Sequence, residues 1–544
     1  MLTCITGGYV IDPPNRRDGI GDLWMENGRV VTAPSSGTAH ATFDATDRIV
    51  MAGAIDIHSH IAGGNVNTAR LLLPEEHIRF DPRTAGMPFA TAGSSTFETG
   101  CAYAAMGFTT VVEPAITPHN ALQAHLELAD VPIIDKAILT VLGNDDYLLA
   151  LLRDNAGPAH VRDYIAWMLD ATRGLGIKVI NAGGAAAFKE NVRSFSLEDI
   201  VPAYGVTSHR IVETLQRAVI DLGVPHPLHV HCNNLGLPGN VDTAIATIEA
   251  AQGLPLHLAH LQFYAYGRDG ARGFSSRAPR LAEAVNAKTN ITVDVGQVMF
   301  GQTVTVSCDV LRQFMARGQA NPSKWVIVDG DSNGGGIVPY KYRATDFHNV
   351  VQWAAGLELF LLIDDPTRVF FTTDHPNGAP FTTYPEIFAL LMDRELRAET
   401  IASLPPAAIE MTSLAALKRE YTLNEIAVMT RSAPAKLLGL ADRGHLGPGA
   451  IADVAVYAPD KDKAKMFRQA ALVFKDGELV VRDGKIVQYR FGRALSVRPR
   501  ADRTVESRIR TYYEATYGFD AALLKVPDGA IGRPDPFETV GCNG

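Results

Sequence analysis

The residues best suited to chemistry are two histidines, His58 and His60, which end an apolar run over residues 50–57. Side chains at positions i and i+2 of a strand point to the same side, so we expect the two imidazoles to converge where the strand ends. Two converging imidazoles form half of a transition-metal site. A His-x-His pair also occurs by chance beside loops, so the pair alone does not decide between a metal site and two unrelated polar residues.

Four further residues of ligand type lie at or near the ends of later apolar runs. Lys178 lies inside a short run, where a buried ammonium group is costly unless it is paired or neutralised. His231 and His260 end two later runs, and Asp374 ends the last one. Each residue has an ordinary explanation by itself, as a core, rim or turn residue. Their joint recurrence at strand ends favours a shared metal site.

Such a site needs a scaffold that brings several strand ends together. Strand-like runs alternate with amphipathic helical stretches, which predicts a parallel sheet that closes into a barrel if it has eight strands. Barrel active sites lie at the C-terminal strand ends, where five of these runs place a ligand-type residue. The predicted strands are the opening run that ends at residue 57 and residues 108–113, 133–141, 176–180, 228–231, 256–260, 291–295 and 368–374. A ninth candidate, residues 325–329, does not fit this count.

The two ends of the chain have a different texture. Asn27-Gly28, Asp476-Gly477 and Asp483-Gly484 lie between short apolar segments, which is a strong local signal for a β-hairpin. Both ends are therefore predicted to be small β structures. Residues 496–544 contain several prolines and little periodicity, which is typical of an extension that packs on a neighbour or stays extended.

Composition argues against several classes of function. The net charge of −9 and the lack of Lys/Arg runs argue against a nucleic-acid partner. Five scattered cysteines without a C-x-x-C pair argue against a disulfide framework or an iron–sulfur cluster, and indicate a cytoplasmic setting. No run approaches 18 uncharged apolar residues, and the N-terminus lacks a basic signal region, so we expect no membrane association.

The order of the ligand-type residues resembles the metal-dependent amidohydrolase superfamily. In that superfamily His-x-His lies on the first strand, lysine on the fourth, histidines on the fifth and sixth, and aspartate on the eighth. The resemblance implies an α/β fold, a (β/α)8 TIM-like barrel with a small composite β-sandwich built from both chain ends. It predicts the sandwich at residues 1–50 and 445–495, the barrel at 51–444, and a C-terminal extension at 496–544 for packing or subunit contact.

Longer phrases are similar to a narrower family, the A-type subunits of formylmethanofuran dehydrogenase and of the bacterial formyltransferase/hydrolase complex. The phrases are residues 58–63, 177–181, 229–236, 260–263 and 372–377. The resemblance implies an amidohydrolase that acts on a linear formamide, N-formylmethanofuran, and releases formate and methanofuran in one-carbon metabolism. It also implies partner subunits of the B, C and D type in a formyltransferase/hydrolase complex.

The resemblance further implies roles for individual residues around one or two divalent metal ions, with zinc as the expected metal. The implied metal ligands are His58, His60, Lys178 as a carbamate, His231, His260 and Asp374. Asp374 is also the implied catalytic residue, which takes a proton from water and passes it to the departing amine. His229 and His257 are expected in the barrel interior, where they orient the ligands.

Several assignments stay open at this point. Lys189 is an alternative carbamate site because Phe-Lys also precedes a carbamate in some relatives, but it follows the strand, so we favour Lys178. Asn233 and Asn234 either contact substrate or cap a helix. Tyr264 replaces a histidine of the archaeal pattern, which affects the pocket rather than the ligands.

Three other functions compete with formamide hydrolysis within such a complex. The chain is alternatively an archaeal-type dehydrogenase component that condenses formate with methanofuran, a dihydropyrimidinase-like cyclic amidase, or a scaffold without chemistry. Because the sequence has no iron–sulfur or molybdopterin signature, formate oxidation would require another chain. The number of metals and the direction of the reaction are not decided by the sequence.

Overall fold

The computed structural model describes residues 1–544 except 36–37, 74–95, 190–191, 193–194, 271, 308–335, 533–535 and 543–544. Its centre is a curled parallel sheet, the (β/α)8 barrel that the sequence predicts. The eight strands are β1 (Ala54–Asp56), β2 (Phe108–Ile116), β3 (Asp135–Val141), β4 (Gly176–Ile180), β5 (Leu228–His231), β6 (Leu256–Leu258), β7 (Ile291–Asp294) and β8 (Val369–Phe370). The ninth candidate, residues 325–329, lies outside the described residues.

Neighbouring barrel strands pair in chain order from β1 to β8. The segments that follow β1 and β8 then meet, because the backbone N–H of His60 donates to the carbonyl of His375 at 3.0 Å. The hydroxyl of Thr372 also donates to the carbonyl of His58. The first and last strands therefore deliver their C-terminal ends to the same place.

Helices occupy the intervals between the strands. They are Gly64–Leu71 and Thr96–Ala105 before β2, Ala121–Asp130 before β3, Asp146–Arg153 and Pro158–Thr172 before β4, Gly184–Lys189 and Ser208–Asp221 before β5, Val241–Ala250 before β6, Ala278–Asn286 before β7 and Phe347–Leu362 before β8. Among the described residues, six more lie between β8 and the C-terminal extension: Tyr384–Met392, Arg394–Ala402, Pro406–Ile409, Leu423–Ala427, Ala433–Leu437 and Lys463–Arg468. The apolar sides of these elements form one continuous core with the sheet.

A second sheet combines the two ends of the chain. Val454–Tyr457 pairs antiparallel with Ile49–Ala52 and so joins them. Asn27-Gly28 turns between two of its strands with φ angles of 50° and 78°, the left-handed conformation that this hairpin signal requires. The nine strands of this second sheet are Leu2–Asp12, Arg17–Glu26, Arg29–Val31, Ala41–Asp44, Ile49–Ala52, Val454–Tyr457, Leu472–Lys475, Glu478–Arg482 and Lys485–Ile486. The domain boundaries at residues 50, 445 and 495 stay a prediction.

The C-terminal extension is more regular than its sequence indicates. Strand Ala494–Val497 pairs with the start of β3, on the edge where β4 does not reach. Strand Phe537–Val540 pairs with Ala494–Val497. Helix Val505–Tyr517 packs against the barrel helix Pro158–Thr172. The extension therefore packs on its own barrel.

A two-stranded antiparallel sheet, Gly301–Ser307 with Gly336–Tyr342, lies between β7 and β8 in the chain. Among the described helices, none has the length and apolar character that crossing a bilayer would require.

Candidate metal centre

A cavity of about 380 Å³ lies at the C-terminal ends of the barrel strands. Strand β4 contributes Lys178, and the other site residues end strands or follow them by a few positions. The six residues for which the sequence implies metal binding all line this cavity: His58, His60, Lys178, His231, His260 and Asp374. The structure therefore brings together residues that are separated by more than half of the chain.

Strand register explains why Lys178 reaches the cavity while its neighbours at the same level do not. Lys178 is paired with His229, which is paired with His257, so the three form one layer of the barrel interior. The two imidazoles are short and stay in that layer, and neither lines the cavity. The lysine side chain is long enough to extend from the same layer to the cavity floor. His229 and His257 therefore lie in the interior, as expected.

Two of the site residues have an unusual backbone conformation. His260 has φ of 35° and Asp374 has φ of 52°, in the left-handed region that non-glycine residues seldom adopt. His260 follows the end of β6 by two positions, and Asp374 follows the end of β8 by four. Such strained positions concentrate at functional sites, where the surrounding structure maintains them.

The donor atoms at the cavity floor are close together and lack hydrogen bonds. Asp374 Oδ1 lies 3.0 Å from Nε2 of His58 and 3.3 Å from Nε2 of His60. Among the described residues, the buried polar atoms without a hydrogen-bond partner include His58 Nε2, Lys178 Nζ, His260 Nδ1 and Asp374 Oδ1. Buried polar atoms normally have partners, so four unsatisfied atoms around one cavity fit a group that binds a ligand there. His58, His60 and Asp374 form one possible metal-binding group.

The electrostatic field of the site also favours a cation. Burial lowers the pKa of His60, but the carboxylates of Glu113 and Asp374 outweigh burial and raise that pKa to about 10. Burial raises the pKa of Asp374, yet the neighbouring His260, His58 and His60 hold it well below its usual value. The position between these groups therefore stabilises positive charge, whether a proton or a metal ion supplies it.

Lys178 differs from an ordinary surface lysine. Its side chain is 2% exposed, and burial lowers its pKa to about 8 against the opposing effects of Asp294, Asp374 and Glu113. An unusually large share of its amine is consequently neutral near pH 7, which is the form that acts as a nucleophile. The backbone of Lys189 ends a helix beyond β4, and the side chain of Lys189 lies outside the described residues.

Two buried carboxylates complete the site, and the sequence interpretation did not include them. Glu113 lies in β2, and one of its oxygens accepts a hydrogen bond from Nδ1 of His60 at 3.0 Å. The other oxygen accepts from the backbone N–H groups of Ile61 at 2.6 Å and Ala62 at 3.0 Å. Asp294 ends β7 and lies 2.9 Å from Nδ1 of His58. A carboxylate at or next to the end of an apolar run was the only available sequence signal.

Replacing Glu113 with glutamine is expected to weaken metal binding or activity by about 10- to 100-fold, the usual cost of removing a carboxylate behind a ligating imidazole. The amide would place an NH2 group against either His60 or the two backbone donors. Zinc content after dialysis and formate release measure the effect. Glu358→Gln is the matched control, because Glu358 is equally buried but contacts Ser276 and Ser413. Equal losses in both variants would contradict a specific role for Glu113.

The structure does not bring the two candidate substrate-binding asparagines to the cavity. Asn233 donates to the hydroxyl of Ser208 at 2.9 Å, at the start of a barrel helix. Asn234 accepts from the backbone N–H of Phe195 at 3.2 Å. Among the described residues that line the cavity, neither asparagine occurs. Both side chains hold neighbouring segments in place.

Tyr264 lies behind a predicted ligand. Its ring stacks on the imidazole of His260 at 5.7 Å between ring centroids, and its hydroxyl donates to the carbonyl of Cys232 at 2.8 Å. The tyrosine therefore supports the ring of His260 and does not line the cavity.

Comparisons with known proteins agree with this fold. The family model described as "Amidohydrolase family" matches residues 41–488. The chain is 53% identical to the A-type subunit of the formyltransferase/hydrolase complex Fhc of Methylorubrum extorquens, over 100% of both chains. It is 38% identical to protein FwdA of Methanocaldococcus jannaschii, over 91% of both chains.

The structure also resembles a chain in the X-ray crystal structure of the complex FhcABCD from Methylorubrum extorquens with methylofuran. The TM-score is 0.94 at 52% identity, over 100% of both chains. These matches cover the barrel and the composite sheet together. The chain belongs to the amidohydrolase family and is a metal-dependent hydrolase.

Proposed function

We propose that this chain hydrolyses the formamide bond of an N-formylmethylofuran-type substrate to formate and the free amine, as the hydrolase component of a formyltransferase/hydrolase complex. The observation that carries the proposal is the arrangement of the six residues around one cavity, in a chain 53% identical over its full length to the A-type component of an Fhc complex. Methylofuran takes the place of the methanofuran expected from the sequence, because the similar crystal structure contains methylofuran.

The proposed metal ligands are His58, His60, His231, His260, Asp374 and Lys178 as a carbamate. Bound zinc would polarise the formyl carbonyl and lower the pKa of water, so that hydroxide is accessible at neutral pH. Carbamate formation joins the neutral Lys178 amine to the carbon of CO2, and the proton lost from nitrogen leaves to solvent. The product is an anionic oxygen donor of the kind that zinc accepts.

Asp374 is the proposed proton carrier. His58 and His60 hold its carboxylate at 3.0 and 3.3 Å on the cavity floor, where an ionised group can accept a proton from water. Its pKa lies well below the usual value, so it is ionised at neutral pH. Passing that proton to the amide nitrogen lets the amine depart in protonated form, which a poor leaving group requires.

The cavity walls suit a substrate whose reacting end is neutral. Apolar side chains line part of the cavity, among them Ile116, Val141, Ile180, Leu235 and Phe263. An apolar wall excludes water from the reacting carbonyl and strengthens the electrostatic interactions of the floor. The formyl group would lie at the floor, and the carrier would extend along the wall towards solvent.

Formate release by the zinc-loaded chain, purified with its accompanying subunits, tests the proposal. We expect release from N-formylmethylofuran and no ring opening of dihydrouracil. Activity on dihydrouracil alone would identify a cyclic amidase instead. A preparation that binds no zinc even after reconstitution would favour a scaffold, and condensation of formate with methylofuran would favour the reverse, archaeal-type direction. A cytoplasmic location stays a prediction from the cysteine pattern.

A further inference from the structure

Asp294 lies beneath the cavity and is not among the described residues that line it. It is fully buried, and its Oδ2 lies 2.9 Å from Nδ1 of His58 and 3.0 Å from Nε2 of His257. The same oxygen lies 3.5 Å from Nε2 of His229. Its Oδ1 accepts a hydrogen bond from the backbone N–H of His260 at 2.5 Å. One carboxylate from β7 therefore contacts residues of three other strand segments.

These contacts determine which nitrogen of His58 carries the proton. A carboxylate only accepts hydrogen bonds, so the nitrogen that lies 2.9 Å from Asp294 must be an N–H group. His229 Nε2 lies 3.1 Å from the same His58 nitrogen. The contact with His229 does not change this conclusion. If His58 Nδ1 had no proton, its lone pair would face the carboxylate oxygen of Asp294, which is repulsive. When a cation instead of a proton faces Nε2, the ring proton of His58 therefore lies on Nδ1, next to Asp294.

The free nitrogen points to the predicted metal site. His58 Nε2 lies 3.0 Å from Asp374 Oδ1 on the cavity floor and forms no hydrogen bond with the described residues. A single imidazole thus spans the distance between the buried carboxylate below and the cavity above. Only one of its two tautomers offers a lone pair to a metal ion from this position.

Further buried groups hold Asp294 in place. His257 donates to Asp294 from Nε2 and accepts at Nδ1 from the hydroxyl of Thr292 at 2.9 Å. His229 is in turn contacted by Nε2 of His226 at 3.0 Å. The backbone register pairs His229 with His257 and His257 with Thr292, so adjacent strands align these groups in one layer. Because these side chains are buried and hydrogen-bonded to one another, the carboxylate of Asp294 has little freedom to turn away from His58.

We propose that Asp294 is a positioning residue for the metal centre. It accepts the Nδ1 proton of His58 and so leaves Nε2 as the nitrogen that would hold a metal ion, and its second oxygen fixes the backbone of His260. A carboxylate behind a ligating imidazole orients the ring and raises its basicity. The inference rests on the metal site of the proposed function. It adds Asp294, which is not a proposed ligand but on which the metal site depends.

Asp294→Asn in the full-length chain tests this role. An amide cannot accept hydrogen bonds at both former oxygen positions, so either His58 or the His260 backbone loses its acceptor. We expect the affinity for Co²⁺, measured in competition with a chelator, to fall by about 10- to 100-fold. The absorption spectrum of the Co²⁺-saturated variant should also differ from that of the wild type. Asp145→Asn is the control, because Asp145 caps the helix Asp146–Arg153 and is not among the described residues that line the cavity, and asparagine is an equally good N-cap, so both readouts should stay unchanged.

A second measurement uses unaltered protein, so that it does not depend on the folding of a variant. In zinc-loaded wild type labelled with ¹⁵N-histidine, we expect the NMR shifts of His58 to show the proton on Nδ1, with His58→Ala used for assignment. A proton on Nε2 would overturn the proposal. A folded Asp294→Asn variant with wild-type affinity and spectrum would overturn it as well. A wild type that binds no metal would contradict the proposed function and this inference with it, whereas a wild type that binds zinc with the proton on Nε2 would contradict only the role of Asp294.

Discussion

Replacing Asp374 with asparagine is expected to lower kcat for formate release by about 10³-fold, within the range that general acid–base catalysis supplies. The side chain lies on the cavity floor, 3.0 Å from His58 and 3.3 Å from His60, and is 3% exposed. Asparagine has a similar shape and retains one oxygen, but it cannot take a proton from water. The variant should therefore bind zinc when the metal is in excess and still fail to turn over.

Zinc stoichiometry and kcat measured on the same Asp374→Asn preparation separate binding from chemistry. Asp145→Asn is a suitable control, because Asp145 caps a helix outside the cavity, and asparagine is an equally good N-cap residue. A variant of Asp374 that keeps a third or more of the wild-type kcat would show that the proton carrier is another group.

Replacing Lys178 with methionine is expected to abolish hydrolysis. The loss of activity should exceed the loss of about 10- to 100-fold that usually follows substitution of a residue that supports a metal ligand. Methionine fills nearly the same space in β4 but cannot react with CO2. Wild type prepared without CO2 should recover activity when bicarbonate and zinc are added, and Lys178→Met should not. With ¹³C-bicarbonate, a carbamate carbon signal should appear in the wild type alone.

The control for this prediction is Lys136→Met in the neighbouring strand β3. Lys136 is equally buried, at 2% exposure, but it donates to the carbonyl of Val131 at 2.9 Å, away from the cavity. Bicarbonate-dependent activity should persist in that variant. Full activity of Lys178→Met would show that activity does not need a carbamate at this position and would make Lys189 the candidate carbamate site.

The sequence was sufficient to predict the barrel strands and the six residues around the cavity. Residues at i and i+2 share a face of a strand, and parallel strands of a barrel bring their C-terminal ends together, so local spacing and strand order specify positions such as those of His58 and His60. Gly176–Ile180 and Leu228–His231 form strands with the predicted bounds. The assignment of these residues as metal ligands stays a prediction.

The two buried carboxylates could not be identified in the same way. Glu113 meets His60 across 53 positions of the chain, and Asp294 meets His58 across 236. In the sequence each is a single acidic residue at or next to the end of an apolar run, which is also typical of an ordinary turn residue. Only the closure of the barrel makes them neighbours of the histidines.

Long-range pairing also explains the unexpected order of the C-terminal extension. Ala494–Val497 is a strand because β3 offers it an unpaired edge, and Phe537–Val540 is a strand because Ala494–Val497 is already in place. Neither segment has enough length or alternation to predict that pairing. Asn233 and Asn234 show the same limit. Strand order predicts that they lie near the site, but it does not predict the direction in which their side chains point.

The most direct test of the metal centre is to measure zinc content and formate release together in His58→Ala. His125→Ala is the matched control, because it removes an equally buried imidazole that contacts the carbonyl of Thr172 instead of the cavity. We predict that His58→Ala loses zinc and activity in parallel while His125→Ala retains zinc. Normal zinc content with full activity in His58→Ala would contradict the assignment of this cavity as the metal centre.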